Sequence, residues 1–296
     1  MLNNILTRSF TGAIFVLLIV TSILIGSITF YLTFSIIVIL SMLEFYNLSN
    51  FALANPQKWL GIFTGWLFFT VNYFYAFDFI HVRFFIVFIP IVILFFINEL
   101  YLFHKRPFTS LAYSFLGIIY IAVPFSFLNY FVFRTNINIL DINDITNYEY
   151  LINQNIFTSQ SIYYTPYLLL GFFILIWIYD TFAYLTGILI GKHRLFERIS
   201  PKKSWEGTIG GAIFTIGLST LFPYFINILE WYQWLMFSVL IVVFSTYGDL
   251  VESLFKRSLN IKDSGKMLPG HGGILDRFDS VLIASPIIYI YLQFLN

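Results

Sequence analysis

Twenty consecutive residues, FFILIWIYDTFAYLTGILIG (172–191), contain one charged residue, Asp180. A helix needs about 20 apolar residues to cross the hydrocarbon core of a membrane, so this stretch predicts a membrane-spanning helix with a carboxyl group inside it. Ionisable groups are costly at that depth and mark functional sites. We expect Asp180 to pair either with lysines of neighbouring loops or with a metal ion.

The composition of the whole chain supports this interpretation. Of its 296 residues, 59% are hydrophobic and only 10% are charged, whereas soluble domains are about 25% charged. The chain has no cysteine and a formal net charge of +1. These values predict a polytopic membrane protein, exclude disulfides and thiolate metal sites, and give no indication of a nucleic-acid partner.

Apolar segments of spanning length recur along the chain and predict an all-α, polytopic fold. Unpaired backbone groups are not tolerated in lipid, and no segment alternates with the period of two that barrel strands need. The apolar start lacks a small-residue cleavage site, which favours a retained first span over a signal peptide. The predicted spans are nine: 9–27, 29–47, 59–77, 79–98, 108–133, 164–190, 207–228, 231–252 and 275–295.

The basic residues give the predicted orientation, because Lys and Arg concentrate on the cytoplasmic side of membranes. With nine spans and a cytoplasmic N-terminus, Arg83 and Arg134 are the only two of the 16 Lys and Arg residues on the outer side. The chain then divides into N-terminal transmembrane helices (1–133), an extracytoplasmic loop (134–163) and a C-terminal transmembrane region with polar cytoplasmic loops (164–296). No internal repeat supports an inverted-repeat transporter.

The first group of polar residues lies on the eighth predicted span, in STYGDLVESLFKR (245–257). Asp249, Glu252 and Lys256 follow helical spacing and share one face. A helix that leaves the membrane with an i,i+4 ion pair explains Glu252 and Lys256 without any function. It does not explain Asp249, which lies deeper and has no cation four residues on.

A glycine-rich loop follows, KDSGKMLPGHGG (262–273). Its Lys262, Asp263 and Lys266 surround a glycine that lets the backbone approach a ligand closely, which is typical of a phosphate-contacting loop. His271 is either an ordinary loop residue or a base, and the sequence favours the first interpretation.

Beyond the loop, Asp276 and Asp279 are three residues apart at the start of the last predicted span and face the same way. Carboxylates at a helix start are favoured by the helix dipole alone. Hard oxygen ligands beside a phosphate-binding loop also suit Mg²⁺. Both interpretations are consistent with the spacing.

A third polar segment, ISPKKSWEG (199–207), precedes the seventh predicted span. Ser200 followed by proline predicts a helix N-cap with proline at the first helical position. Lys202 and Lys203 are either topology charges or part of an anion site at the helix start. Glu206 needs a partner beside the membrane, and we expect one of these two lysines to supply it.

Together these segments place carboxylates, lysines and glycine-rich turns on the cytoplasmic side of the second half. Such a set suits a Mg²⁺-dependent site for polyphosphate at the lipid surface, because phosphoryl and nucleotidyl transfer depend mainly on charge placed against developing negative charge. The chain has neither a Walker A motif nor a dinucleotide-binding GxGxxG fingerprint, so a familiar soluble nucleotide fold is not indicated.

The segment SLFKRSLNIKDSGKMLPGHGGILDRFD (253–279) closely resembles the signature of the phosphatidate cytidylyltransferases, also called CDP-diglyceride synthetases. That signature has Ser, two residues, Lys-Arg, four residues, Lys-Asp and a small residue, then Leu-Pro-x-His-Gly-Gly and Asp-Arg-x-Asp. Each part is present here at the same spacing. SPKKSWEG (200–207) and Asp180 also look like family features, so the resemblance is strong from about Trp177 to Asp279.

The resemblance implies that CTP and phosphatidate react to give CDP-diacylglycerol and diphosphate in phospholipid biosynthesis. It further implies a multi-span helical homodimer, dependence on Mg²⁺ with room for a second, monovalent cation, and catalysis within residues 164–296. Carried over by motif, the metal would be held by Asp249 and Asp276. The catalytic residues would be Asp249, Lys256, Lys262, Asp263, His271, Asp276 and Asp279. Substrate-binding residues would be Asp180, Ser200, Lys202, Lys203, Ser204, Arg257, Lys266 and Arg277.

Three alternatives differ in the class of protein. A CTP-dependent enzyme could act on another lipid phosphate, such as an isoprenoid or archaeal one. A transporter of anionic lipid or nucleotide would bind without turnover, and a purely structural membrane protein leaves Asp180 and Asp249 unexplained. The expected location is a prokaryotic cytoplasmic (inner) membrane, with the site facing the cytoplasm.

Overall fold

A computed structural model describes residues 2–52, 54–135, 162–262, 264–265 and 272–295. The described chain is mostly helical, as the apolar runs predict. Its α-helices are α1 (Leu2–Ile25), α2 (Ser27–Leu48), α3 (Lys58–Ala76), α4 (Phe88–Leu102), α5 (Pro107–Gly117), α6 (Val123–Phe127), α7 (Asn129–Val132), α8 (Tyr167–Ile190), α9 (Trp205–Ser219), α10 (Trp231–Ser258) and α11 (Asp279–Gln293). A π-helical turn joins α5 to α6, and 3₁₀ turns precede α4 and α11.

Two small antiparallel hairpins accompany the helices. Strand β1 (Phe133–Thr135) pairs with β2 (Ile162–Tyr164), and these strands flank most of the predicted outer loop. Strand β3 (Arg194–Phe196) pairs with β4 (Ser200–Ser204) just before α9. The sequence patterns did not predict either hairpin, because three of the strands have three residues and β4 has five, which is too short to show a clear period of two.

Within the described residues, five helical segments are long and apolar enough to cross a membrane: Ser27–Leu48, Val82–Leu102, Pro107–Val132, Tyr167–Ile190 and Trp231–Ser258. The other four predicted spans also contain helix. Those helices are shorter or less apolar, so the membrane-protein class is supported while the count of nine stays a prediction.

The seventh predicted span, 207–228, was too long. Its helix ends at Ser219 and is followed by a 3₁₀ turn, Phe222–Tyr224. Pro223 explains the end of the helix, because proline has no N–H for the bond to residue i−4 and its ring collides with that carbonyl. Residue i−4 of Pro223 is Ser219, the last helical residue.

Aromatic side chains fill the core between the two halves of the chain. Phe278, which lies between Asp276 and Asp279, packs edge-on against Phe125 of α6 and against Phe173 of α8. Such edge-to-face pairs favour one relative orientation of the rings. The start of α11 is thereby fixed against helices from both halves.

Glycines allow the helices of the second half to approach closely. A Cβ on Gly207 of α9 would lie 3.0 Å from Gly187 Cα of α8, and one on Gly248 of α10 would lie 2.9 Å from Ser280 Cα of α11. Small residues at such crossings are typical of membrane helix pairs. The second contact brings the end of α10 against the start of α11, where the predicted carboxylates lie.

Candidate active site

A buried ion-pair cluster links α10 to the segment before α11. Lys256 Nζ donates to Glu252 Oε2 at 2.9 Å and to Asp276 Oδ1 at 2.7 Å. The side chain of Lys256 is 12% exposed and that of Glu252 is fully buried. The i,i+4 pair is therefore confirmed, but it is part of a three-residue cluster that also holds Asp276.

Asp276 also holds the two ends of the glycine-rich loop together. Its Oδ2 accepts the Ser264 N–H at 3.0 Å and the Gly273 N–H at 2.8 Å. With the contacts of Oδ1 to Lys256 and to the same Ser264 N–H at 3.2 Å, both oxygens are occupied by described donors. Asp276 thus joins the loop to the end of α10.

A second cluster forms around Asp249, about two turns earlier on α10. Its Oδ2 pairs with Lys203 Nζ of β4, and its Oδ1 accepts a hydrogen bond from Ser253 Oγ at 3.2 Å. The cation that the helix itself does not supply to Asp249 therefore comes from the hairpin. A third of the Asp249 side chain is exposed (32%), so the carboxylate is accessible to a ligand.

Two further carboxylates lie near Asp249. The charges of Asp180 and Asp279 are close enough to interact with that of Asp249 and with each other. Asp180 is exposed where α8 leaves the core, directly after the buried Tyr179. Tyr179 is hydrogen-bonded to Thr246 of α10, which fixes α8 beside the helix that carries Asp249.

The segment 199–207 folds differently from its prediction. Ser200 is not an N-cap: it lies in β4, opposite Phe196. The cap is Ser204, whose Oγ accepts the Gly207 N–H at 3.2 Å. Pairing of β4 with β3 prevails over the local Ser-Pro signal, because it satisfies backbone groups along the strand.

Glu206 pairs with His193 and not with a lysine, which corrects the expectation. Its Oε1 lies 2.6 Å from His193 Nδ1, and its Oε2 accepts the Lys192 N–H at 3.1 Å. The hydrogen bond from His193, helped by backbone N–H groups, lowers the pKa of Glu206 to about 2. The carboxylate fixes the turn between α8 and β3 and leaves both lysines free of it.

The remaining predicted residues lie around these clusters. Arg257 donates to the carbonyls of Ile199 and Ile261 at 3.4 and 3.0 Å, so it ties the hairpin to the end of α10. Lys202, Lys262 and Arg277 are exposed. The predicted residues that lie outside the described part of the chain are Asp263, Lys266 and His271.

The carboxylates fit a divalent cation in chemistry but do not form a ready-made cage. Hard oxygen donors with excess negative charge, as at Asp249 with Asp180 and Asp279, are what Mg²⁺ prefers. Among the described residues, however, no three His, Asp or Glu side chains already stand in a metal-binding arrangement. The oxygens of Asp276 are already occupied, so a cation there would have to compete with Lys256 and the loop.

Three polar residues at the site were missed by the sequence analysis. Glu252 was predicted only to form an i,i+4 ion pair where its helix leaves the membrane, yet it is buried with Oε1 unpartnered among the described residues. Tyr120, on the π-helical turn, has a buried hydroxyl within range of the charge on Glu252. Glu44, on α2, accepts a hydrogen bond from the Ser264 hydroxyl of the glycine-rich loop. A signal for Glu44 existed, since it is the only charged residue in α2.

In this membrane protein, carboxylates and lysines lie together at one end of the helices. Such an arrangement of charges is typical of enzymes that act on phosphate groups. The model of the Cytidylyltransferase family matches residues 6–295, so the chain belongs to that family.

Curated relatives agree with this assignment. The chain is 46% identical over 121 residues to a phosphatidate cytidylyltransferase of Staphylococcus haemolyticus (40% of this chain, 46% of the relative). It is 43% identical over 136 residues to the Staphylococcus aureus (strain COL) protein of that name (45% and 50%). The match to the Staphylococcus epidermidis (strain ATCC 35984) protein is 48% over 122 residues (40% and 46%). The matched part thus spans about half the length of these relatives.

Proposed function

We propose that the protein is a phosphatidate cytidylyltransferase, which converts CTP and phosphatidate to CDP-diacylglycerol and diphosphate. The observation that carries the proposal is the joining of Lys256 to Asp276 across 20 residues of sequence, beside the ion pair of Lys203 with Asp249. All four residues lie in the part of the chain that resembles the family, about Trp177 to Asp279. Both pairs bring lysine charge to one end of the helices. The names of the curated relatives support the choice of reaction.

In the proposed reaction, an oxygen of the lipid phosphate attacks the α-phosphorus of CTP in line. The new phosphorus–oxygen bond forms as the bond from the α-phosphorus to the bridging oxygen breaks, and diphosphate leaves with that electron pair. The lipid phosphate is already an anion, so no strong base is needed. The main obstacle is the repulsion between two anions.

The lysines of the site would offset this repulsion. Lys203 and Lys256 are held by Asp249 and Asp276, so their ammonium groups are already positioned when substrate arrives. Preorganised charge of this kind stabilises the transition state without reorganisation. Lys202, which is exposed on the same hairpin, would meet CTP phosphates, and Ser204 would fix the start of α9.

Asp249 and Asp276 would hold Mg²⁺, whose chemistry would be to neutralise charge on the triphosphate and on the departing diphosphate. Asp249 is the better supported of the two, because it is accessible and has two carboxylates near it. Asp276 could bind the ion only if one of its present hydrogen-bond donors, Lys256 or a backbone N–H group of the loop, moved away. A second, monovalent cation remains part of the proposal on the resemblance alone.

The topology is also part of the proposal. Nine spans with a cytoplasmic N-terminus leave the site in the cytoplasm and the acyl chains of the lipid in the bilayer. The distribution of Lys and Arg supports this orientation. We further propose a homodimer in a bacterial cytoplasmic membrane.

The proposal is tested by incubating the detergent-purified protein with labelled CTP, dioleoyl phosphatidate and Mg²⁺, with and without EDTA. We expect a lipid-soluble CDP product that EDTA abolishes. CTP binding without product would indicate a different lipid phosphate, and turnover with an isoprenoid phosphate would then identify it. Binding with no turnover on any lipid phosphate would favour the transporter.

A further inference from the structure

The carboxyl group of Glu44 is buried at the end of α2, on the opposite half of the chain from the family motifs. Glu44 is 3% exposed. Its Oε2 accepts the Leu275 N–H at 2.9 Å and the Ser264 hydroxyl at 3.3 Å. Its Oε1 is buried without a partner among the described residues. Burial of a carboxylate costs free energy, so the buried position of Glu44 indicates a structural or functional role.

Two glycines of the loop, Gly265 and Gly273, lie directly against the Glu44 side chain. A Cβ on Gly265 would collide with the carboxyl group of Glu44, and the nearest atoms it would meet all belong to Glu44. A Cβ on Gly273 would collide with Glu44 and with the Ser264 hydroxyl. A side chain at either position would therefore displace the Glu44 carboxyl group, because Gly265 and Gly273 lie directly against it.

Glu44 and Asp276 hold the same loop from two sides. Ser264 donates its N–H to Asp276 and its hydroxyl to Glu44. At the C-terminal end of the loop, Gly273 donates to Asp276, and Leu275, two residues further on, donates to Glu44. Leu275 is the first residue of the 3₁₀ turn that carries Asp276, so the bond to Glu44 fixes the residue next to the one that holds Lys256.

Helix α2 is itself fixed against α10. Phe45, the neighbour of Glu44, stacks on Phe255, the neighbour of Lys256, with 5.1 Å between ring centroids. The two helices therefore approach the loop in a defined register. Glu44 on α2 contacts Leu275, and Lys256 on α10 contacts the next residue, Asp276.

We propose that Glu44 is a positioning residue, which sets the base of the glycine-rich loop and thereby the place of Asp276 against Lys256. This inference rests on the proposed cytidylyl transfer for its effect on turnover. Glu44 itself touches no reacting atom. The N-terminal helices thus contribute to the active site through one buried carboxylate, in addition to their packing.

The first test compares Glu44→Ala with Glu44→Gln and with a matched control, Glu99→Ala. Glu99 is also a buried carboxylate of the N-terminal half, bonded to Gln57 at 2.8 Å and His104 at 2.6 Å, and it has no hydrogen bond to the described residues of the loop. Displacement of a positioned group by about 1 Å costs up to about a hundred-fold in rate, so Glu44→Ala should lower kcat about ten- to a hundred-fold, with a smaller change in KM. Glu44→Gln keeps an acceptor oxygen and should lose less than about ten-fold. Glu99→Ala should keep its kcat although its unfolding temperature falls.

The second test is steric. Gly265→Ala should lower kcat, because the new methyl group displaces the loop from Glu44. In the Glu44→Ala background the obstacle is gone, so Gly265→Ala should cost little more. The two substitutions should therefore be strongly non-additive, whereas independent sites would give the product of the two losses.

Amide hydrogen exchange separates this inference from the proposed reaction. Loss of the bond from Leu275 to Glu44 should accelerate exchange in a peptide that contains Leu275 by about ten-fold, whatever the protein catalyses. Faster exchange in a protein that transfers no cytidylyl group would refute the proposed reaction, but it would still support the role of Glu44 as a positioning residue. Unchanged exchange, or equal kcat for Glu44→Ala and Glu99→Ala, would overturn the role of Glu44.

Discussion

Replacement of Lys256 by methionine is the most informative single change at the site. The substitution keeps an unbranched apolar side chain of similar length but removes the ammonium group that contacts Glu252 and Asp276. The fully buried Glu252 and the mostly buried Asp276, whose side chain is 10% exposed, then lose their cation. Loss of one partner from a buried ion pair costs about 3–5 kcal/mol, so Lys256→Met should lower the unfolding temperature in detergent clearly.

The catalytic effect is separable from the loss of stability. A double variant, Lys256→Met with Glu252→Leu, replaces the buried pair by apolar groups, which is often neutral or stabilising. It should regain part of the stability, because Glu252 no longer lacks a partner, while Asp276 keeps its backbone N–H donors but still lacks its cation. It should not regain turnover, because the lysine charge that offsets repulsion between the substrates is still missing. We expect cytidylyl transfer to fall at least about a hundred-fold in both variants, in line with the loss of one preorganised electrostatic group.

The assay is transfer of label from CTP to lipid, measured below the unfolding temperature of each variant. Lys58→Met is the control, since Lys58 lies outside the site and its side-chain partners among the described residues are both neutral: the Asn47 side chain at 2.8 Å and the Trp59 ring, with 5.4 Å to the ring centroid. It should behave as wild type in both measurements. Turnover near the wild-type rate in the folded double variant would refute the role assigned to Lys256.

Three other predictions concern neighbouring residues. Asp249→Asn should abolish turnover with expression intact, and activity near wild type in the transfer assay would remove Asp249 from the metal site. Lys202→Ala with Lys203→Ala should raise the CTP or phosphatidate concentration needed for half-maximal rate; inverted topology in a labelling assay, with the kinetics unchanged, would show that the two lysines are topology charges. Because His193 holds the pKa of Glu206 at about 2, the stabilisation by that carboxylate is present above its ordinary pKa of about 4.3 and is lost as the pH falls toward 2. Glu206→Gln should therefore lower the thermal unfolding temperature near neutral pH and have a much smaller effect near pH 2, and an equal effect at both would contradict the pairing.

The helices of this protein are predictable from its sequence because lipid permits little else. Runs such as 172–191 are too apolar for any other structure, and helix is present at each predicted span. The end of a helix is less predictable when a residue beyond it terminates the helix, as Pro223 does for α9. The hairpin of β3 and β4 was missed because the local signal at Ser200 indicated a helix cap, while the pairing that prevails is with a strand several residues away.

The candidate site was predictable in its parts but not in its pairing. Helical spacing correctly joined Glu252 to Lys256. Spacing cannot reveal that Lys203 is the partner of Asp249, or that His193 is the partner of Glu206, because those contacts depend on the hairpin. Glu44 shows the same limit over a longer distance, since its partner Leu275 lies 231 residues away.

The central claim is the transfer of a cytidylyl group to a lipid phosphate, and position-specific labelling of CTP tests it most directly. Purified protein is incubated with phosphatidate and Mg²⁺, once with CTP labelled at the α-phosphorus and once with CTP labelled at the γ-phosphorus. We predict that the α-label enters the lipid phase and that the γ-label stays in water as diphosphate. Label from the γ-position in the lipid would indicate phosphoryl transfer instead, and label in the lipid from neither position would contradict the account.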